Sequence, residues 1–351
     1  MKRAARLIVV LAMVAVSPCF GAEPKAGESP ADHLPPHIAQ LTTFGERPDW
    51  SHDGKKILFM SKTFGDAMEI NVETKVIRNL TAHFAHYGFV RAMYLANDDI
   101  LLTGPETFDP KKIDYARRHC FLYVLDKNLT KAAVPLGEFC SEGPAVSRHR
   151  MHIAWTQWSE SDDKNPPTNS VIFEGDIVYE GGVPGIASKK LVIDRHALSF
   201  PCTIETQSFR PPLEKELTFS AYSPMGDKAD VCSVDLATGK VINHTASPDV
   251  YDEAEGISPD GRYELIECDK QNHGGPGHID IWKLNLSDAS DYRRLTFFSD
   301  YPGYKSSNPV VSDDGRFFAF QAGKANEATG SGHGVFIYDF EKAEKKSNLS
   351  P

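Results

Sequence analysis

The 351-residue chain has no apolar run long enough to cross a bilayer as a helix. It has no Cys-x-x-Cys, which excludes a zinc ribbon and a thioredoxin-like redox motif. It has no dense basic patch. The close-packed basic runs are Arg117-Arg118-His119 and Lys345-Lys346, and both read as solvated faces. Nucleic acid and anionic membrane surfaces are therefore excluded as partners, because an acidic chain without such a patch repels them.

The longest apolar stretch near the start, Leu7 to Val16, is short and follows Lys2, Arg3 and Arg6. Small residues come next at Gly21 and Ala22. This is the pattern of a secretory signal peptide over residues 1–22. Pro18 stands where a lipid-anchored chain would need a small residue before Cys19. The expectation is a periplasmic or secreted monomer without membrane insertion. Removing the leader leaves 35 Lys and Arg against 48 Asp and Glu, a net charge of −13. It also leaves five cysteines: Cys120, Cys140, Cys202, Cys232 and Cys268. An exported compartment permits disulfides, but an odd count leaves at least one thiol unpaired.

Residues 23–36 carry four prolines and no apolar period, and read as a disordered spacer. From His37 the chain changes to short β-like runs separated by turns. Its organising unit is Glu255-Gly256-Ile257-Ser258-Pro259-Asp260-Gly261-Arg262-Tyr263-Glu264-Leu265-Ile266. This is strand, tight turn, strand: Pro presets φ, Gly takes the positive-φ position, and Ser and Asp bond back to the turn. Clear copies surround Ser51-His52-Asp53-Gly54 and Ser312-Asp313-Asp314-Gly315. Degenerate copies surround Leu95, Ser147 and Arg210. The steps between the six are 44, 52, 63, 48 and 54 residues. Strand-only repeats of that period predict propeller blades.

The expected fold is all-β: a six-bladed β-propeller over residues 37–340, with a C-terminal tail at 341–351. The blades fall at roughly 41–80, 81–137, 138–198, 199–245, 246–296 and 297–340. Fourth strands often close on Leu-Thr, as at Leu80-Thr81 and Leu295-Thr296. The segment His37-Ile38-Ala39-Gln40-Leu41-Thr42 is a good fourth strand without a blade of its own. It is expected to close the ring on the third strand of blade 6, because an open ring would expose sheet edges.

The motifs Trp50-Ser51-His52-Asp53-Gly54-Lys55, Ile257-Ser258-Pro259-Asp260-Gly261-Arg262 and Val311-Ser312-Asp313-Asp314-Gly315-Arg316 resemble the WD40-like (PD40) repeat of the TolB-like propeller family. The resemblance covers the chain from about residue 37. It implies a six-bladed propeller and a periplasmic or secreted location, and it implies no single function. The extra N-terminal α/β domain of TolB has no counterpart here, so a role with the Tol–Pal system is not carried over. Prolyl-oligopeptidase-type peptidases have similar blades, but this chain lacks Gly-x-Ser-x-Gly and residues for a hydrolase domain. Oligogalacturonate lyases are also similar, as metal-dependent propellers with a close His-x-His pair, which is absent here.

The Ser-Pro-Asp-Gly turns share one rim and read as structural. The opposite rim carries the loops before strand one and those between strands two and three. There blades 5 and 6 depart most from the repeat, each with Gly-x-Gly-His before strand three, ending in His278 and His333. Asp252 and Glu253, then Tyr301 and Tyr304, precede strand one of these blades. These six residues are the expected binding site. Imidazole and carboxylate suit a divalent metal, for which His278 and His333 are the candidate ligands. Tyrosine faces suit a sugar or a peptide. The leading expectation is non-catalytic binding of a protein or oligosaccharide partner without a cofactor. The alternative is a metal-dependent lyase on acidic oligosaccharides. Cys120, opening strand three of blade 2, and Cys140, in the loop entering blade 3, are the disulfide candidate.

Overall fold

A computed structural model describes residues 27–141, 143–159, 169–325, 327 and 330–347. The signal-peptide reading of residues 1–22 lies outside them. Six four-stranded antiparallel sheets follow one another along the chain. Blade 1 runs from Glu46–Trp50 to Ile77–Asn79, and blade 2 from Arg91–Tyr94 to Val134–Cys140. Blade 3 runs from Ala145–Val146 to Val183–Asp194, and blade 4 from Thr203–Phe209 to Val241–Asn243. Blade 5 runs from Asp252–Ile257 to Asp288–Arg294. Blade 6 has Tyr304–Val311, Phe317–Lys324 and Val335–Asp339, and its fourth strand is Ile38–Gln40 from the other end of the chain. The chain is thus a six-bladed β-propeller. Ile38 pairs with Tyr338 and Gln40 with Phe336 in that last sheet.

The repeated turns are built by the residues that define the repeat. Ser51, Ser258 and Ser312 each donate a hydroxyl hydrogen bond to the Asp two residues on, at 2.8, 2.7 and 2.6 Å. Gly54, Gly261 and Gly315 take φ of 67°, 66° and 70°. Gly261 is doubly constrained. A Cβ there would stand 1.9 Å from the Pro211 carbonyl oxygen of blade 4.

The threonine of the Leu-Thr strand ends has a specific role. Thr81 and Thr296 accept backbone N–H groups at the start of strand three, from Ala67 and Ile281. They donate to Asp66 and Asp280. Thr245 accepts from Val231 in the same way in blade 4. In blade 6 the equivalent is Thr42, which accepts from Val335 N–H at 2.9 Å. Leu41-Thr42 is therefore the Leu-Thr end of the sixth blade, supplied from 293 residues upstream of Val335.

Apolar clusters fill the seams between blades. Blades 5 and 6 meet through Leu265, Ile281, Phe318, Phe320 and Phe336. Three expectations are corrected here. The described part of the 23–36 spacer is ordered: Pro30–His33 forms a 3₁₀ turn with a Ser29/Asp32 capping box. Ala31 and Leu34 pack on the blade 5–6 cluster, so these short apolar residues gain burial that a spacer would not. A helix, Phe340–Ser347, follows blade 6. Blade 2 extends beyond 137 because Gly137, at φ 72°, makes a bulge inside the fourth strand instead of a turn after it. Cys140 therefore ends that strand, directly opposite Cys120 on the same blade, and does not lie in the loop to blade 3.

Candidate binding site at the channel mouth

Four of the six innermost strands break register once. The slips fall between Glu46 and Asp49, Thr206 and Ser208, Ala254 and Gly256, and Ser307 and Val310. A bulge frees one residue from the ladder and re-aims its side chain, often beside a functional site. Arg47, Glu255 and Asn308 fall in these bulges, and all three line one cavity. Arg47 and Asn308 take φ of 53° and 49°. Such values are uncommon for residues with a Cβ.

The cavity measures about 500 Å³ and occupies the channel mouth. Its outer wall comes from the ends of second strands and the loops that follow: Thr63, Arg117, Arg118, Trp158, Met225 and Lys324. It therefore opens on the long-loop rim. Inside it Glu205, Glu253, Glu255 and Glu267 gather beside Arg47, Arg91 and Lys305. One oxygen from each of Glu253, Glu255 and Glu267 lies within 4.8 Å of the others.

Each carboxylate is held by a neighbour. The Tyr222 and Tyr251 hydroxyls both bond to Glu253. The Tyr222 hydroxyl also lies 3.1 Å from Glu205. Asn308 donates its side-chain amide to Glu255 at 3.0 Å and its backbone N–H to Glu267 at 2.7 Å. Burial, then the Glu267 and Glu253 charges, push Glu255 well above the usual carboxylate range, against Arg91. Burial, then Glu253, push Glu267 upward, against Lys305 and the Asn308 N–H. Burial and the surrounding carboxylates push the Tyr222 and Tyr251 phenols up as well, so both remain donors at neutral pH.

Of the six residues expected from sequence, Glu253 lies in this cluster. Asp252 does not: it is fully buried and accepts from the Tyr292 hydroxyl of the outer strand. Adjacent strand residues point to opposite faces, so Asp252 and Glu253 do not share a cleft. His333 pairs with Glu327, which lines the cavity edge. Tyr304 sits beneath the Lys324 ammonium, 5.3 Å from ring centre to Nζ. His278 bonds to the Gly274 carbonyl in its own loop. Tyr301 stacks on His33 of the N-terminal 3₁₀ turn. Neither histidine belongs to the carboxylate trio.

Glu255 and Glu267 escaped the sequence reading, which followed loops and not strands. A signal was present. Counted from the turn serine, Glu267 occupies the position of Met60 in blade 1 and Gln321 in blade 6. A carboxylate at a buried middle-strand position is costly unless something uses it.

No protein-family model matches the chain, and no curated protein matches it in sequence. Solved structures are similar in fold. TolB from Acinetobacter baumannii superposes with a TM-score of 0.51 at 11% identity, over 83% of this chain and 65% of that one. Regucalcin from Agrobacterium tumefaciens gives 0.52 at 11% identity, over 85% and 92%. A puromycin-hydrolysing peptidase of Mycobacterium tuberculosis gives 0.50 at 14% identity, over 80% and 40%. The chain thus spans about two thirds of TolB and under half of the peptidase. Its fold is that of the TolB-like six-bladed propellers, and at these identities the likeness extends to fold alone. Among the described residues, no helix is long and apolar enough to cross a membrane.

Proposed function

We propose that the chain is an exported, non-catalytic binding protein that seats an oligosaccharide in its channel mouth. The observation that carries this is the lining of the 500 Å³ cavity: carboxylates and guanidinium groups side by side, with Trp158, Arg117 and Arg118 on its outer wall. Sugar hydroxyls are satisfied by carboxylate and guanidinium partners, and a sugar face stacks on an indole. The N-terminal Lys2, Arg3 and Arg6 before Leu7 to Val16 support export.

The test is a screen of neutral and acidic oligosaccharides by Trp fluorescence and calorimetry. A bound sugar should lose at least tenfold in affinity in Trp158→Ala and Arg118→Ala. Equal affinity in both variants overturns the mouth as the site. A screen without any sugar, alongside a protein partner lost in the same variants, would move the reading to protein binding.

A second reading has its own observation. Arg47, Arg91, Arg117, Arg118, Lys305 and Lys324 all line the cavity, and Glu267 is held toward its protonated form. A cationic wall beside a carboxylate made more basic than usual suits proton abstraction by a lyase acting on acidic oligosaccharides. Growth of ultraviolet absorbance on oligogalacturonate, abolished in Glu267→Gln, would establish it. A flat trace leaves non-catalytic binding.

A further inference from the structure

We propose that Glu253, Glu255 and Glu267 hold one divalent cation of the calcium class, with the Ser307 hydroxyl as a fourth oxygen ligand. The trio comes from two adjacent strands of blade 5, and Ser307 from the bulged inner strand of blade 6. Ser307 is 3% exposed, lines the same cavity, and its Oγ has no hydrogen-bond partner. A buried hydroxyl without a partner is uncommon and calls for an occupant.

The spacing matches the ion. Calcium binds oxygen at about 2.3–2.6 Å, so two of its ligands lie at most about 5 Å apart. The three carboxylate oxygens lie within 4.8 Å of one another. Magnesium keeps several of its waters and is usually held by one or two carboxylates, so a set of three carboxylates favours calcium. The donors are all oxygen, without His or Cys, which suits a hard cation over zinc or copper. The adjoining cavity leaves room for water to complete the coordination shell.

The trio is also braced as metal ligands are. Tyr222 and Tyr251 fix Glu253, and Asn308 fixes both Glu255 and Glu267. Such outer hydrogen bonds set carboxylate orientation before the ion arrives. Asn308 can reach both because its bulge places the backbone N–H and the side-chain amide toward blade 5.

The experiment uses the chelator-stripped full chain and the metal alone, so it does not depend on the ligand proposed above. Calorimetry with CaCl₂ should give one site per chain, and the melting temperature should rise with calcium concentration. Magnesium should bind at least tenfold more weakly. Glu255→Gln and Glu267→Gln keep shape and remove charge, and each should weaken calcium at least tenfold. Ser307→Ala should weaken it severalfold. Should a buried variant fail to fold by circular dichroism, Glu253→Gln at the more exposed ligand carries the same expectation. No heat and no melting shift with millimolar calcium would overturn the site and leave the trio as carboxyl groups sharing protons. An unchanged affinity in the folded glutamine variants would overturn the ligand assignment. Loss of cation binding with sugar binding intact, or the reverse, separates this inference from the oligosaccharide reading.

Discussion

Arg148 of blade 3 donates through Nε to the Asp313 carboxylate of blade 6, at 2.8 Å. In a six-membered ring these blades stand opposite, so the contact crosses the channel. His52 of blade 1 joins from the side, 3.0 Å from Asp313 and 3.0 Å from the Leu95 carbonyl of blade 2. Arg148 also donates to the Trp50 carbonyl and lies 3.7 Å from Asp49. Four blades are tied at the end away from the acidic cavity. All three side chains occupy the second position of the repeated turn, where blade 5 has Pro259. The turn tolerates the loss of proline, and the freed position supplies a cross-channel link.

Arg148→Ala should therefore cost more than a surface change. It removes the link and leaves Asp49, which burial already pushes up, without its nearest cation. Stranding one member of a buried pair typically costs about 3–5 kcal/mol, and partial exposure of Arg148 reduces that to about 2–3. Asp313→Asn should cost less, since Asp313 is more exposed. Urea denaturation of both variants checks this. A loss under about 0.5 kcal/mol for Arg148→Ala would show the link to be incidental.

Glu264 should set a pH dependence of stability. It is fully buried, and burial raises its pKa to about 8 despite the Thr218 hydroxyl bond and the charge of Arg210. In the unfolded chain it ionises near its ordinary 4.5. Between those values the folded state holds a proton that the unfolded state releases. Its contribution is fully present below about pH 4.5 and declines as pH rises toward 8, by at most about 1.4 kcal/mol per unit. Glu264→Gln should flatten the melting temperature between pH 5 and 8. An unchanged slope would assign the dependence to other groups.

The blades were legible because their turns are written in residues with one physical use each. Ser, Asp and Gly recur at fixed offsets, and the structure spends them on the turn bonds read from sequence. The closing strand was legible as a fourth strand with no blade. The acidic cluster was not, because it depends on which bulged residue faces the channel. Bulges are register events between two strands, and no single strand announces them. Asp252 and Glu253 show the cost: adjacent in sequence and equally acidic, they separate onto opposite faces. The Pro30–His33 turn was missed for a related reason. Four prolines and scattered charge look like spacer until Ala31 and Leu34 find the blade 5–6 seam.

Cys120 and Cys140 should form a bridge in an oxidising compartment. They are cross-strand partners and both are buried. Closing a loop of about twenty residues is worth roughly 3 kcal/mol. Mapping of non-reduced peptides should link the two, and Cys140→Ser should lower stability by about that amount without reductant. Equal stability with and without reductant in the parent chain would exclude the bridge.

The ring closure gives the sharpest stability test. Thr42 accepts the Val335 N–H, and Leu41 N–H donates to the Val335 carbonyl at 2.8 Å. Thr42→Val keeps the shape and removes the acceptor, stranding a buried N–H at a cost of about 1–3 kcal/mol. Deletion through Pro36 removes the packed Pro30, Ala31 and Leu34 but keeps the strand. Deletion through Thr42 removes the strand too, exposing the edge of Val335–Asp339 and uncovering Tyr338 and Phe336. The second truncation should be less stable than the first by several kcal/mol, about what a lost strand with its apolar contacts represents. It should also associate, since a bare sheet edge recruits another strand. Melting curves and sizing of the two truncations decide the matter. Equal midpoints and two monomers would mean that blade 6 holds the ring closed with three strands alone.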